Sequence, residues 1–304
     1  MNSRIILGIR VDFGMSINEA LEVIENKLLK DEKNHYICTT NPEFVMDAQC
    51  DKDFAKIINE SDLSLPDGSG LVYANKYIEG IKKFKKDFVF PIKAFAYGLH
   101  IGISSSFKRF RRYEDSYEKD GGKITGVELT YKICETASRK GYSVFFLGGR
   151  PKNALGKHIN NSDKDTAETS ATEMQRLYPG LNIVGATSKF NKMRSDDQKT
   201  LDYIKRCMNE KDVDHIDFLF VAYGHPYQEK WIVRNKDNIP VKVSVGVGGT
   251  FDYIIGQCEL PPEIYVKKNL GWLYRLLKQP WRAKRILKAF PTFPVKVFLN
   301  SIQK

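Results

Sequence analysis

Ser64-Leu65-Pro66-Asp67-Gly68-Ser69-Gly70 decides the fold reading: a short apolar strand, Leu63 to Leu65, stops at a proline, and a glycine-flanked turn opens a helix through Tyr77. Upstream, Tyr36-Ile37-Cys38 reads as a second buried strand, which Thr39-Thr40-Asn41-Pro42-Glu43 turns into another helix, with Pro42 suited to its first position. Consecutive strand-to-helix turns build an open parallel α/β sheet, whose ligands sit beyond the carboxyl ends of the strands. Asp67 then stands at the crevice beside the Thr39 hydroxyl and the Asn41 amide, a candidate general base for a sugar hydroxyl. An aspartate before a glycine-opened helix is equally a good cap, and both readings stay open here.

The alternation continues outward from this stretch. Residues 4–10 read as a strand, and Ser16-Ile17-Asn18-Glu19 is a capping box opening a helix with Ile17, Leu21, Ile24 and Leu28 on one face. Val127 to Lys140 reads as a helix. Tyr142 to Leu147, Leu181 to Gly185, Ile216 to Tyr223 and Val241 to Val247 read as strands, and a helix covers Tyr227 to Val233. Residues 155–172, rich in Asn, Ser, Thr and Asp, read as a surface loop. After Pro261-Pro262 no strand signal remains; Ile264–Lys278, Trp281–Phe290 and Thr292–Ile302 read as short basic helices parted by Pro280, Pro291 and Pro294. The expectation is a Rossmann-like α/β core over 1–260, with helices on both faces of a parallel sheet, and a basic helical appendage over 261–304.

Charge is unevenly placed. The net charge is +11, yet residues 261–304 carry seven Lys, three Arg and one Glu, and residues 81–113 carry six Lys, three Arg and one Asp. The remainder is mildly acidic, so the two basic patches point to docking on an anionic surface rather than general stickiness. No nucleic-acid recognition motif accompanies them. In the first patch, Lys82-Lys83-Phe84-Lys85-Lys86 and Lys108-Arg109-Phe110-Arg111-Arg112 flank an apolar stretch, 88–107, interrupted by Pro91, Lys93, His100 and three serines. It reads either as an interfacial or re-entrant element or as a disordered basic loop. It is too broken to span a bilayer, and Met1 leads almost directly into an apolar strand with no leader pattern. Five dispersed cysteines without a CxxC pair suggest reduced thiols in a cytosolic protein and no zinc site.

Glycine turns follow two strands, at Gly148-Gly149 and Gly248-Gly249, where backbone N–H groups can approach a diphosphate; the alternative is that the glycines only permit tight turns. Neither is a GxGxxG fingerprint and no P-loop occurs, which argues against a nicotinamide cofactor and a P-loop NTPase. Tyr223-Gly224-His225-Pro226-Tyr227-Gln228-Glu229-Lys230-Trp231 is a dense polar cassette at a strand end. Gln228 is placed to bond a uracil or a sugar, His225 reads as a structural turn residue, and Glu229 with Lys230 reads as a solvated ion pair. Three DxD pairs, Asp51/Asp53, Asp163/Asp165 and Asp212/Asp214, read as solvated surface acids rather than metal ligands. A diphosphate leaving without a metal needs another cation, and Arg275, Arg282 and Arg285 are the candidates, interleaved with Trp272, Tyr274 and Trp281 as in an interfacial segment.

Taken in order, eight runs resemble the WecG/TagA/CpsF glycosyltransferases, glycosyltransferase family 26: Thr39–Glu43, Leu65–Gly70, Gly126–Leu129, Phe145–Gly149, Tyr178–Leu181, Gly224–Trp231, Gly246–Asp252 and Trp272–Leu276. The resemblance implies a metal-independent, inverting enzyme that moves a sugar from a UDP-sugar to a polyprenyl-diphosphate-linked acceptor at the cytoplasmic membrane face. It implies Asp67 as general base, Thr39 as its acceptor-side neighbour, and Asn41, Gln228 and Asp252 in the donor pocket, alongside the turn residues Gly148, Gly149 and Gly249. Arg275, Arg282 and Arg285 match arginines of a C-terminal appendage that closes over the site and touches the membrane. No cofactor beyond the donor is implied, N-acetylmannosamine is the favoured sugar type among hexoses, and a homo-oligomer stays open. Three departures stand out: the stretch between Gly70 and Gly126 is long, a polar insertion falls near 155–172, and Tyr223 replaces the usual small residue before the Gly-x-Pro turn. Rivals are a non-catalytic membrane-docking nucleotide-sugar-binding module and, more weakly, a Rossmann oxidoreductase.

Overall fold

The computed structural model describes residues 2–108, 122–149, 165–267 and 270–303. Its centre is a parallel sheet of β3 (His35–Thr40), β4 (Leu63–Pro66), β5 (Ser143–Gly148), β6 (Asn182–Thr187), β7 (Ile216–Ala222) and β8 (Val241–Gly246), in spatial order β4-β3-β8-β7-β5-β6. Most of these strands are buried on both faces, which is why they read as continuous apolar runs rather than alternating ones. The register aligns Thr40 with Pro66, Cys38 with Gly246, Val221 with Gly246 and Gly148 with Ala222, so the carboxyl ends of five strands finish at one edge.

Residues 4–10 are not one strand. β1 (Asn2–Ile6) and β2 (Ile9–Phe13) form an antiparallel hairpin turning at Leu7 and Gly8, both at positive φ, as a two-residue hairpin turn requires. The hairpin docks on the outer edge of β4: Ser64 donates its backbone N–H to Asp12 Oδ2 at 2.8 Å and its hydroxyl to the Arg10 carbonyl at 2.7 Å, covering an edge that would otherwise invite pairing.

Helices cover both faces. The predicted capping box is present at Ser16, heading α1 (Ile17–Val23), which a π turn prolongs to Leu28. Asn41 caps α2 (Pro42–Ala48) through its side-chain oxygen, and Asp51 caps α3 (Lys52–Glu60). α4 (Ser69–Ile81) follows the Asp67-Gly68 turn, α5 (Phe90–Lys108) folds back along it, and α6 (Gly126–Lys140) starts at a Thr125 cap. The expected loop over 155–172 is corrected where it is described: Asp165 caps α7 (Thr166–Leu177), accepting from the N–H groups of Ala167 and Glu168. Residues 155–164 and Arg109–Arg112 lie outside the described residues. α8 (Asp197–Glu210) and α9 (Tyr227–Asn235) complete the flanking layers, and α10 (Thr250–Ile254) follows β8.

Past residue 260 the single helix expected over Ile264–Lys278 is divided into α11 (Glu263–Lys267) and α12 (Gly271–Lys278). A 3-10 turn (Pro280–Arg282), α13 (Ala283–Leu287), a π turn containing Pro291 and α14 (Phe293–Gln303) follow. Phe293 and Val297 of α14 are buried in the same core as Phe44, Tyr77 and Trp231, and Tyr77 Oη lies 3.0 Å from Ser301 Oγ. No described helix is long and apolar enough to cross a membrane.

Candidate active site

The aligned strand ends open into a cleft of about 1080 Å³. Thr39, Asn41, Asp67, Gly149, Gln228, Gly249, Asp252, Arg275, Arg282 and Arg285 all line it; Gly148 sits one residue behind, at the end of β5. Residues far apart in the chain thus meet where an open α/β sheet binds ligands.

Asp67 is positioned by backbone. Its N–H donates to the Thr40 carbonyl at 2.6 Å, the Pro66 carbonyl accepts from Ile124, and the Gly126 N–H donates to its carboxylate. Gly68, at φ +107, lets the chain turn into α4 with the carboxylate facing the cleft. Desolvation there outweighs the pull of Arg275 and Lys123 and holds the Asp67 carboxyl above the ordinary carboxylate value, a shift toward the pKa a general base needs. Thr39 lies in the floor: it is buried and donates its hydroxyl to the Gly246 carbonyl at 3.0 Å, leaving lone pairs as its free chemistry. Asn41 spends its oxygen on the Phe44 N–H, so its amide N–H₂ is the part left for a ligand.

On the opposite side, Gln228 works from within. Its Oε1 accepts from the N–H of Gly224 at 3.0 Å and of Gly248 at 2.9 Å, and its Nε2 donates to Glu229 Oε1 at 2.7 Å. It therefore ties the β7 turn to the β8 turn. The solvated Glu229–Lys230 pair expected from sequence is corrected: Glu229 is fully buried, and Lys230 donates to Asp51 Oδ2 at 2.6 Å instead. Burial raises the Glu229 carboxyl to about 7, so it is largely a neutral acid only below neutrality; the Gln228 amide and His225 only partly oppose this. Glu229 was invisible because Gln228, Trp231 and Ile232 mark the buried face of α9 and a charged residue beside them reads as solvent-facing. Gly148 and Gly149 have φ of +89° and +81°, and a Cβ on them would strike the rings of Tyr223 and Phe251 at 2.8 and 2.7 Å. These glycines are required by the turn itself. Tyr223 packs over Gly148 and edge-on to Trp231, with ring centroids 6.0 Å apart.

The arginines arrive from three elements, α12, the 3-10 turn and α13, rather than from one helical face. A Cβ at Gly249 would lie 3.7 Å from Arg282 Nη2 and 3.6 Å from Asp252 Oδ2, which sets Arg282 over the β8 turn. Burial pulls Arg282 below the ordinary guanidinium value; the hydroxyl of Tyr253 opposes this, and the charges of Arg285 and Arg275 add to it. The charge of Arg275 acts on the Asp67 carboxyl, and Arg282 lies over the turn that also carries Asp252, so the three guanidiniums face one cleft. Such a cluster is built to receive an anion.

Arg285 is tethered. Its Nε donates to Glu43 Oε2 at 2.6 Å, and His225 Nε2 lies 3.1 Å from Asp47 Oδ2, while Lys288 donates to Asp47 Oδ1 at 2.5 Å. The His225 hydrogen bond, with Lys288 adding, holds Asp47 at about 2. His225 also packs on the Phe44 ring at 4.6 Å, so it acts as a hub between α2 and the tail. Sequence reading passed over Glu43, Asp47 and Lys288 altogether; Glu43 sits inside a quoted run, yet only the fold shows its partner. Two of the DxD acids are structural: Asp51 and Asp165 are helix caps, and Asp165 Oδ2 also accepts from the Ser188 N–H at 2.8 Å. Among the described residues, no group of three or more His, Cys, Asp or Glu is placed to hold a metal ion.

The family model of the Glycosyl transferase WecG/TagA/CpsF family matches residues 4–87 and 116–304. The chain is 27% identical over 264 residues to an N-acetylglucosaminyldiphosphoundecaprenol N-acetyl-beta-D-mannosaminyltransferase of Bacillus spizizenii, covering 87% of this chain and 79% of that protein. A Bacillus subtilis protein of the same name is 23% identical over 289 residues, 95% of this chain and 89% of the relative. One from Staphylococcus aureus is 23% identical over 264 residues, 87% and 80%. With the strand-end cleft, the matched cassettes and a match running through both halves of the sequence, the chain belongs to the WecG/TagA/CpsF family of glycosyl transferases.

Proposed function

We propose that this chain transfers an N-acetylmannosamine-type sugar from a UDP-sugar to a polyprenyl-diphosphate-linked saccharide, with inversion and without a metal, as a peripheral protein of the inner membrane face. The observation that carries the reading is the cleft itself: a raised carboxylate, Asp67, shares a cavity with three tail arginines, Arg275, Arg282 and Arg285. Asp67 takes the proton of the acceptor hydroxyl as that oxygen attacks the anomeric carbon. The bond from that carbon to the UDP oxygen breaks, and Arg275, Arg282 and Arg285 neutralise the departing diphosphate. The glycine turns held by Gln228 leave room for the donor's phosphates and sugar. Names of the similar proteins supply the sugar and the lipid-diphosphate acceptor of this proposal.

The test is UDP release. The full chain is mixed with UDP-N-acetylmannosamine and a short-chain polyprenyl-diphosphate N-acetylglucosamine, with other UDP-sugars in parallel and with chelator present. Release that needs both substrates and survives chelation supports the reading. UDP binding without release under any donor makes the chain a nucleotide-sugar-binding module and overturns it.

A further inference from the structure

We infer that the outer face of α5 is a bilayer-docking surface, which presses this protein onto anionic lipid. The helix has two opposed stripes. Phe90, Ala94, Tyr97, Gly98 and Ile101 turn inward; Tyr97 packs against Gly80 and the Tyr77 ring, and Phe90 and Ala94 are buried in the core. Ile92, Phe95, Leu99 and Ile103 repeat at helical spacing on the opposite side and are exposed by 69, 54, 51 and 59%. Phe88, just ahead of the helix, is 97% exposed.

The stripe continues onto α14. Phe298 meets the Phe95 ring edge-on with centroids 5.8 Å apart, and Val295 and Leu299 beside it are half exposed. A contiguous apolar patch of this kind marks an interaction site rather than ordinary surface. Charge decides the occupant. From Phe88 to Ser104 the sequence holds no Asp or Glu, and Lys82, Lys83, Lys85, Lys86 and Lys93 crowd the amino-terminal end, where Lys82 pairs with Glu79 and Lys93 with Asp87 and the lysines still outnumber the acids. Lysines bordering bulky aromatic and aliphatic side chains suit an interface of acyl chains below anionic headgroups. A helix of 19 residues that packs on protein along its inner stripe lies on such a surface and does not cross it.

The family match skips residues 88–115, so this face is an addition to the shared framework. α5 packs on the carboxyl-terminal part of α4, with Tyr97 against Gly80 and Gly98 against the Tyr77 ring. The inference rests on the proposed lipid-linked acceptor only for its purpose; the contact with lipid is measured without it.

The experiment uses the full chain, an Ile92→Ser/Phe95→Ser/Leu99→Ser triple variant, and Ile5→Ser, an equally exposed apolar site on β1, as control. Co-sedimentation is measured with vesicles of phosphatidylcholine alone and with phosphatidylglycerol added. The expected result is stronger binding to the anionic vesicles, a fall in partitioning of at least about tenfold for the triple variant, and no change for Ile5→Ser. Thermal melts of the triple variant check that it is folded; a Phe95→Trp variant, retaining the apolar face, should show a blue-shifted emission on adding vesicles. Unchanged sedimentation of a folded triple variant overturns the inference. So does a triple variant that only dissolves a dimer in sedimentation velocity while binding vesicles normally, since a second copy would then be the occupant. UDP release from the water-soluble short-chain acceptor should persist in the triple variant. If wild-type protein shows no release yet loses vesicle binding on substitution, the surface stands and the proposed reaction falls.

Discussion

Arg285 and Glu43 close a ring across 242 residues of sequence, Nε to Oε2 at 2.6 Å, and this pair fastens the tail over the first strand-to-helix turn. Both lie at the cleft. An ion pair this exposed contributes only about 0.2–1 kcal/mol to folding. Glu43→Ala and Arg285→Ala should therefore leave urea midpoints nearly unchanged. Arg285→Ala should weaken UDP about tenfold in calorimetric titration, and Glu43→Ala less, because the guanidinium survives.

Asp67→Asn should lower turnover by about 10²–10⁴-fold while leaving UDP-sugar affinity near that of the wild type. Near-normal turnover with intact binding would remove the base assignment. The wild-type rate should climb with pH as the Asp67 carboxyl, held above its ordinary value by desolvation, ionises, and then level off. The residual Asp67→Asn rate should show no such rise.

Arg282→Lys is not a conservative change here. Lysine keeps a charge but loses the planar fork that grips two phosphate oxygens. Turnover should drop about 10–100-fold, matching the roughly 1.5–3 kcal/mol of a charge-assisted hydrogen bond. A donor with a better leaving group than UDP should recover part of the loss in steady-state assays. No recovery would argue that Arg282 holds the donor rather than its departing phosphates.

Glu229 makes stability depend on pH. Its folded pKa, about 7, exceeds its ordinary 4.5, so folding favours the protonated form. Its contribution is complete below about 4.5 and is lost as pH rises to about 7, with a slope of up to about 1.4 kcal/mol per pH unit. Glu229→Gln should flatten that window and raise the melting temperature at pH 8 relative to wild type. Parallel wild-type and variant melting curves against pH would contradict this.

Gly246→Ala should destabilise the fold by about 1–3 kcal/mol. The added Cβ would lie 2.7 Å from both Gln228 Nε2 and Glu229 Oε1, in the brace between two turns. Gly102→Ala, with nothing within 4 Å, should be neutral or slightly stabilising, and equal urea midpoints for the two would refute the steric account.

The sheet was legible because each doubly buried strand is an unbroken apolar run followed by a turn signal, as at Leu63 to Gly68. The amino-terminal hairpin was not: Leu7 adopts positive φ at the first turn position, where Asn, Asp or Gly would announce the turn, and Gly8 alone does not break residues 4–10. α7 was lost in a polar composition, since its buried face begins with Thr166, Ala167, Ser170 and Ala171, small residues that seldom read as core, and reaches a large apolar residue only at Met174. At the site, Asp67 and Thr39 could be placed from their turns alone. The approach of Arg275, Arg282 and Arg285 rested on resemblance, because the path of the tail is set by contacts distant in sequence, Phe293 and Val297 in the core and Arg285 on Glu43. The Gln228–Glu229 brace had no local signature, as burial of a carboxyl is a property of the assembled layers.

Asp67 is synthesised long before Arg275, Arg282 and Arg285, and all four line the cleft. A nascent chain with its sheet complete would thus hold the carboxylate wall of the cleft without the three guanidiniums opposite it. The cleft reaches its full lining only when the tail segment settles onto the core that holds Phe44 and Tyr77.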